Sequence, residues 1–362
     1  MRSPRWRFRA RQWPAPLDAH SDRHRRLDPA GQRRGSDAGR VTDELRGRGH
    51  QVLVVSPDQF RSLPCPTYPE IRLALVRARA IGDRIAAFGA EAIHIATEGP
   101  LGWAARRWCL AKGRGFTTAY HTRFPEYLAR RSGLPSSLFW PYIRRFHAPS
   151  CGIMVATATI RAQLRDHGLT RLRNWSRGVD LAQFCPDQPQ PETFRGLTRP
   201  IQLYVGRVAV EKNIEAFLGN RHPGAKVVVG EGPALARLRE AYPGAYFLGC
   251  QAGAALAASY AAADVVVFPS CTDTFGLVMI EALACGTPVA AYPVAGPIDV
   301  LTPESGYMAG KIEEAIAGAL ARDRACCLAR GRSFSWQASA DQFLAALFPV
   351  THAKHGLDLL AA

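Results

Sequence analysis

Asp273 and Glu281 are the acidic side chains best placed to do chemistry in this sequence. A short apolar run before them predicts a buried strand, and the apolar spacing that follows Gly276 predicts a helix. Open α/β sheets bind ligands at the carboxyl ends of their strands, and the first N–H groups of a helix favour an anion. The amides of Phe275, Gly276 and Leu277 could therefore bind a diphosphate, with the two carboxylates accepting hydrogen bonds from sugar hydroxyls on either side. This pattern predicts a site for a nucleotide sugar.

Arg207 and Lys212 form a second candidate group, just after a predicted strand that ends at Gly206. Cations at the end of a strand can neutralise the charge that develops on a leaving diphosphate. Glu211 directly precedes Lys212 and belongs to the same loop. The alternative is a pair of solvated cations with no ligand.

The elements that must position these groups alternate along the chain. Strands are predicted at residues 51–55, 92–97, 116–121, 152–157, 201–206, 226–230, 246–249, 265–269 and 289–292. Helices are predicted at residues 71–88, 101–111, 136–147, 159–167 and 338–347. Short apolar strands that alternate with helices indicate an α/β fold whose parallel sheets are covered on both faces.

Residues 1–40 differ from the rest of the chain. They contain eleven Arg, four Asp and neither Val nor Ile, and they show no strand pattern and no helical periodicity. The first orderly feature is a helix end at residues 41–50. We interpret residues 1–40 as an out-of-frame or mis-started translation of a high-GC gene, and a native disordered basic tail is the alternative. Sequencing the locus distinguishes them, because a small frame correction would restore a strand and a glycine loop.

Four motifs, in order along the chain, resemble those of the retaining GT-B glycosyltransferases. The resemblance is to the family with bacterial GDP-mannose-dependent mannosyltransferases and glycolipid transferases of the diacylglycerol glucosyl and sulfoquinovosyl type. The motifs lie at residues 56–70, 118–127, 204–213 and 273–289, and the last carries the acidic-x7-acidic pattern. The resemblance implies a GT-B fold, in which two Rossmann-like domains with parallel sheets face a cleft. The first strand of the N-terminal domain and its glycine loop are missing from the sequence.

This resemblance, with four prolines between residues 180 and 200, implies a division of the sequence. The predicted parts are an unmatched basic segment (1–40), an N-terminal acceptor-binding domain (41–180), a linker (181–200), a C-terminal nucleotide-sugar-binding domain (201–335), and a helix that crosses back to the N-terminal domain with its tail (336–362).

The resemblance also implies roles for single residues. Glu281 would bind the donor ribose and Asp273 would orient the sugar hydroxyls, although Asp273 could instead be a helix N-cap. Arg207 and Lys212 would hold the diphosphate. His121 would contact the donor sugar across the cleft and support the oxocarbenium-like transition state, and a structural histidine is the alternative.

The remaining donor-binding candidates are main-chain positions and one carboxylate. Gly230 begins what resembles a second nucleotide-facing turn, and an ordinary βα turn is the alternative. The full predicted donor-binding set is Gly206, Glu211, Gly230, Phe275, Gly276, Leu277 and Glu281.

Neither a metal nor another cofactor is expected. The resemblance implies that the departing phosphate oxygen takes the acceptor proton, so the only small molecule required is the donor, a UDP-sugar or GDP-mannose. The nine cysteines are scattered without Cys/His clustering, which favours reduced thiols over zinc or disulfides.

The charge of the chain suggests an acidic partner. The net charge is +16, of which residues 1–40 supply +7. Residues 71–88 and 134–147 combine Arg with apolar or aromatic side chains, as helices at a lipid interface do, although such helices can equally pack on a sheet. No nucleic-acid-binding motif is found. No apolar run reaches the length of a transmembrane helix and the basic N-terminus lacks the apolar middle of a signal peptide, so, with reduced thiols, we expect a cytoplasmic protein. The basic charge adds a peripheral position at the inner face of the cytoplasmic membrane to this expectation.

We predict a retaining transferase that moves a hexose from a UDP- or GDP-sugar to a membrane lipid such as diacylglycerol. One alternative is a mannosyltransferase with a soluble or polysaccharide acceptor. The other is an inactive, truncated copy that binds only nucleotide or membrane, because the first strand and the glycine loop are missing.

Overall fold

The computed structural model describes residues 31–65, 68–121, 123–271, 273 and 275–350. They form two α/β units, each with a parallel sheet at its centre, as predicted. No helix among these residues is both long enough and apolar enough to cross a bilayer.

The N-terminal unit contains a four-stranded parallel sheet and a separate hairpin. Its strands are β1 (Ser62–Cys65), β2 (Tyr68–Ala74), β3 (His94–Ile95), β4 (Thr117–Tyr120), β5 (Gly152–Val155) and β6 (Leu172–Asn174). Its helices are α1 (Gly31–Gly47), α2 (Ala78–Phe88), α3 (Pro100–Ala111), α4 (Phe124–Ser132), α5 (Trp140–His147) and α6 (Ala158–Asp166), with 3-10 turns at Pro57–Gln59 and Ser136–Leu138. The sheet order is β3-β4-β5-β6, and β1 pairs with β2 in antiparallel fashion.

The C-terminal unit contains six parallel strands. They are β7 (Gln202–Val205), β8 (Lys226–Val229), β9 (Tyr246–Phe247), β10 (Val265–Phe268), β11 (Val289–Ala291) and β12 (Gly306–Met308). The helices are α7 (Ile214–Leu218), α8 (Leu235–Ala241), α9 (Gly253–Ala262), α10 (Leu277–Ala284), α11 (Pro297–Val300), α12 (Ile312–Leu320), α13 (Arg324–Arg332) and α14 (Trp336–Ala346), with 3-10 turns at Glu192–Phe194 and Val210–Lys212. The strand order β12-β11-β10-β7-β8-β9 reverses direction between β7 and β10.

Apolar side chains cover both faces of each sheet. Every residue of β7 and of β10 is buried, which is why these strands read as continuous apolar runs rather than as alternating ones. The last helix, α14, leaves the C-terminal unit and packs on the N-terminal sheet. Its Ala340 and Ala346 share a buried cluster with Val41 and Leu45 of α1 and with Met154 of β5.

Two predictions for the start of the chain are wrong. Residues 51–55, predicted as a strand, pair with no described strand, and Leu53 and Val54 are exposed. A strand needs a neighbour for its backbone hydrogen bonds, and this segment has none in the described part of the chain. Helix α1 begins at Gly31, inside a segment for which no helix was predicted, since burial of Val41 and Leu45 four residues apart anchors it. Residues 1–30 lie outside the described residues.

The helix predicted for residues 71–88 is also wrong in its first part. Residues up to Ala74 belong to β2, and the helix begins at Ala78. Antiparallel pairing of Leu73 with Leu63 and of Ala74 with Ser62 satisfies the backbone of this segment as a strand. Arg72 therefore lies in the hairpin, where its guanidinium donates to the Ser62 carbonyl at 2.8 Å.

The predicted helix at residues 136–147 is divided into the turn Ser136–Leu138 and α5. Trp140 and Phe146 are buried in the protein, so these two aromatic side chains are not available to a lipid surface. Leu134 and Leu138 remain exposed. The other predicted strands each contain an observed strand, whereas β1, β2, β6, β12 and α4 were not predicted.

Candidate active site

The reversal of strand order between β7 and β10 creates the main crevice of the C-terminal sheet. Parallel neighbours end at the same edge, so the loops that follow β7 and β10 leave it side by side and then diverge to opposite faces. The loop after β7 carries Arg207 and Lys212, and the loop after β10 carries Asp273. Strand order thus brings together groups about sixty residues apart in the sequence.

Lys212 and Asp273 are in direct contact across this crevice. The ammonium Nζ lies 2.5 Å from Asp273 Oδ1, and each side chain is 25% exposed. The loop geometry is fixed by Asn213, which has a left-handed backbone with φ of 54° and whose amide donates to the Pro269 carbonyl at 3.2 Å. These two contacts join the loop after β7 to the loop after β10. Lys212 is thus a partly buried cation with an acidic partner.

Arg207 also has an acidic neighbour. Its guanidinium lies 3.7 Å from Glu211 Oε1, and these side chains are 40% and 38% exposed. Such a pair is weakly held because water screens it. A ligand phosphate could compete with Glu211 for the Arg207 guanidinium.

Gly206 and Gly230 lie back to back where β7 and β8 end. A Cβ atom on Gly230 would lie 1.8 Å from the Gly206 carbonyl oxygen, and the Gly230 amide donates to Gly249 at 2.7 Å. A side chain at position 230 would push the two turns apart. Packing alone therefore accounts for glycine at this position.

The helix that follows the acidic loop begins as the sequence suggests. Gly276 is the N-cap of α10, with φ of 82°, and a Cβ atom there would lie 2.8 Å from the Met279 methyl group. Phe275 is buried and packs edge-on against Phe334 at 5.9 Å. The alternative of Asp273 as the N-cap is wrong, because Gly276 takes that position and Asp273 pairs with Lys212.

Glu281 lies one turn into α10, at the fifth helical residue. Its Oε2 accepts a hydrogen bond from the Tyr260 hydroxyl at 2.7 Å. Tyr260 was not found from the sequence. The signal that could have revealed it is a single Tyr in the Ala-rich helix α9, since a buried Tyr hydroxyl needs a partner.

His121 lies directly after β4, at the carboxyl end of the N-terminal sheet. Its Nδ1 is 2.6 Å from Nη2 of Arg177, and its ring packs edge-on against Trp175 at 5.1 Å. A guanidinium can only donate, so Nδ1 accepts and the proton of the neutral ring is on Nε2. Arg177 and Trp175, which follow β6, were also missed by the sequence analysis.

One carboxylate connects the two units near the site. Asp299, in α11, accepts a hydrogen bond from the backbone amide of Thr159 in α6 at 3.0 Å. The preceding Gly296 lies so close to the acidic loop that a Cβ atom on it would be 3.3 Å from the Asp273 carbonyl oxygen. The loop before α11 thus links the Asp273 segment to the N-terminal unit.

A separate recess between α1, the linker and α14 contains none of the predicted site residues. Its charged side chains are engaged in ion pairs: Arg40 binds Asp180 at 2.9 Å, and Arg48 binds both Glu44 and Asp341. Among the described residues, no cluster of three or more His, Cys, Asp or Glu side chains is arranged to bind a metal. None of the eight cysteines whose side chains are described forms a disulfide bond.

Comparison with known proteins defines the class of this protein. Residues 38–183 match the family described as Glycosyltransferase Family 4, and residues 199–322 match Glycosyl transferases group 1. A GDP-mannose-dependent alpha-mannosyltransferase of Mycolicibacterium smegmatis is 32% identical over 288 residues, which are 73% of this chain and 76% of that protein. A sulfoquinovosyl transferase of Arabidopsis thaliana is 32% identical over 71% of this chain and 56% of its own length.

Solved structures agree with this assignment. Sucrose-phosphate synthase of Thermosynechococcus elongatus superposes with a TM-score of 0.61 at 25% identity, over 74% of this chain and 75% of that one. The Anabaena protein HepE, solved in complex with UDP, gives a TM-score of 0.58 at 14% identity, over 84% and 88% of the two chains, and it shares the fold. The chain belongs to the GT-B glycosyltransferases with family 4 and group 1 domains, and it is a transferase of that family.

Proposed function

We propose that this glycosyltransferase moves a hexose from a UDP- or GDP-sugar to a hydroxyl group of a membrane lipid such as diacylglycerol, with retention of the anomeric configuration. The observation that carries the proposal is the Lys212–Asp273 pair at the reversal of strand order. A cation and a carboxylate on adjoining loops, at the edge where α/β sheets bind nucleotides, support a diphosphate and sugar hydroxyls as their ligands.

In this proposal Lys212 and Arg207 bind the diphosphate and stabilise the charge that grows as it leaves. Asp273, released from Lys212, orients the sugar hydroxyls, and Glu281 binds the ribose. His121 donates from Nε2 to the donor sugar. The bond between the anomeric carbon and the phosphate oxygen breaks, the acceptor oxygen bonds to that carbon on the same face, and the acceptor proton passes to the departing phosphate.

GDP-mannose is the first donor to test, because relatives from Mycolicibacterium smegmatis and Mycobacterium tuberculosis are named GDP-mannose-dependent alpha-mannosyltransferases. The complex of HepE with UDP makes UDP-sugars the second choice. We propose that transfer needs no bound metal, since two cations already compensate the diphosphate. Activity should then persist in excess EDTA.

Two observations support a lipid acceptor and a place at the inner face of the cytoplasmic membrane. A relative from Mycobacterium tuberculosis is named for transfer to a phosphatidylinositol dimannoside. The exposed Leu134 and Leu138 precede α5 in the sequence, and α5 carries the exposed cations Arg144 and Arg145; exposed leucines and cations in one segment suit an anionic lipid surface. A mannosyltransferase with a soluble or polysaccharide acceptor is the second candidate, favoured by the mannosyltransferase relatives whose names give no lipid.

The test is a donor screen with purified chain and total membrane lipid. Radiolabelled GDP-mannose, UDP-glucose and UDP-galactose are each supplied, and products are partitioned between organic solvent and water. Label in the organic phase supports the lipid acceptor, whereas polymeric or soluble labelled product supports the second candidate. Binding of UDP or GDP without transfer or hydrolysis would instead indicate an inactive copy.

A further inference from the structure

Tyr260 is a buried residue that the proposed reaction has not yet used. Its side chain is fully buried within the larger core cluster of the C-terminal unit, with its ring edge-on to Phe184 at 5.9 Å. A phenol hydroxyl in such surroundings needs a hydrogen-bond partner, because burying it without one is costly. Its partner is the Glu281 carboxylate, at 2.7 Å.

The backbone that carries Tyr260 is fixed from the other side. The Tyr260 carbonyl accepts a hydrogen bond from the Thr287 hydroxyl at 2.7 Å. Arg324 donates to the same hydroxyl at 3.1 Å and to the Ala261 carbonyl at 2.9 Å. The end of α9 is thus tied to the segment that follows α10. These contacts therefore hold Tyr260 and Glu281 in a fixed position relative to each other.

This contact orients the Glu281 carboxylate. A carboxylate has two oxygens and about four acceptor positions, and the bond from Tyr260 takes up one position on Oε2 and restricts rotation of the carboxylate. A free Glu side chain would lose rotamer entropy when it binds a ligand, and prior fixation removes part of that cost.

We propose that Tyr260 is a positioning residue for nucleotide ribose: its hydroxyl holds Glu281 so that the carboxylate accepts from the 2′- and 3′-hydroxyls, and it thereby sets the preference for ribonucleotides. The inference rests on the proposed function, which places the ribose at Glu281. Tyr260 touches the carboxylate and acts through it.

The experiment measures binding of UDP and GDP, and of their 2′,3′-dideoxyribose analogues, by calorimetry to the full chain and to Tyr260→Phe. Phe keeps the ring and removes only the hydroxyl. We expect affinity for the ribonucleotide to fall roughly three- to tenfold, the effect of losing one positioning hydrogen bond. Affinity for the dideoxy analogue should stay within about twofold on the same scale. Tyr246→Phe, at a tyrosine that is 47% exposed in the same unit, is the matched control.

A second comparison shows whether Tyr260 acts through Glu281. In a Glu281→Gln background, adding Tyr260→Phe should leave the ribose-to-dideoxyribose ratio unchanged. If Tyr260→Phe alone lowers affinity equally for the ribonucleotide and its dideoxy analogue, or leaves the ratio of the two affinities unchanged, the inference is overturned while the proposed function stays intact. If the unmodified chain binds neither UDP nor GDP, both are overturned.

Discussion

Replacing Lys212 by Met separates the catalytic use of the lysine from its structural use. Lys212 lies 2.5 Å from Asp273, and both side chains are a quarter exposed. Loss of one preorganised charge that faces a leaving group lowers kcat by on the order of 10²–10³-fold. The structural cost should be smaller, about 1–2 kcal/mol in the free energy of unfolding, between the values for exposed and fully buried ion pairs.

The double variant Lys212→Met/Asp273→Asn separates the effect on stability from the effect on transfer. Removing the stranded carboxylate charge should restore most of the lost stability, since no unpaired ion remains, yet transfer should stay as slow as in the single variant or slower. Stability is read from urea unfolding, and transfer from initial rates at saturating donor. Lys311→Met is the matched control, because Lys311 is 78% exposed in a loose pair with Glu314. A Lys212→Met enzyme within about threefold of the original rate would refute the reasoning, given the loss expected for such a charge.

Two further predictions use other parts of the chain. Burial lowers the pKa of His94 from 6.5 to about 3, so the unfolded state binds more protons between these values. The free energy of unfolding should therefore fall as pH drops from about 6.5, by up to roughly 1.4 kcal/mol per pH unit. The free energy of unfolding is measured by urea unfolding at pH 7 and pH 4.5, and the His94→Asn variant should lack this loss between the two pH values. An equal loss in both proteins would contradict the prediction. The second prediction concerns the exposed Leu134 and Leu138, proposed above to contact the membrane. Leu138→Glu should reduce co-sedimentation with anionic vesicles about tenfold, whereas Leu110→Glu, at a less exposed leucine, should not. Equal effects of the two changes would exclude a role for Leu138 in membrane binding.

The central parts of the site could be read from the sequence because local signals mark them. An apolar strand followed by Gly276 and helical spacing locates α10, and a strand ending at Gly206 locates the cationic loop. The sequence could not show which loops lie next to each other in the fold. That depends on β10 lying beside β7, a contact between strands about sixty residues apart.

The residues missed by the sequence analysis support the site from elsewhere. Tyr260 reaches Glu281 from α9, and Arg177 reaches His121 from the segment after β6. No local period reveals such contacts, because they depend on tertiary packing. The errors at residues 51–55 and 71–74 have a related cause, since a strand is stable only beside a partner and its pattern can be mistaken for that of a helix.

The most direct measurement is a structure of the chain with bound UDP or GDP. We expect the diphosphate between Lys212 and the first amides of α10, with Lys212 separated from Asp273 and the ribose hydroxyls on Glu281. Nucleotide bound away from the point where strand order reverses in the C-terminal sheet, or a Lys212–Asp273 pair that stays in contact beside the bound nucleotide, would contradict the proposed site.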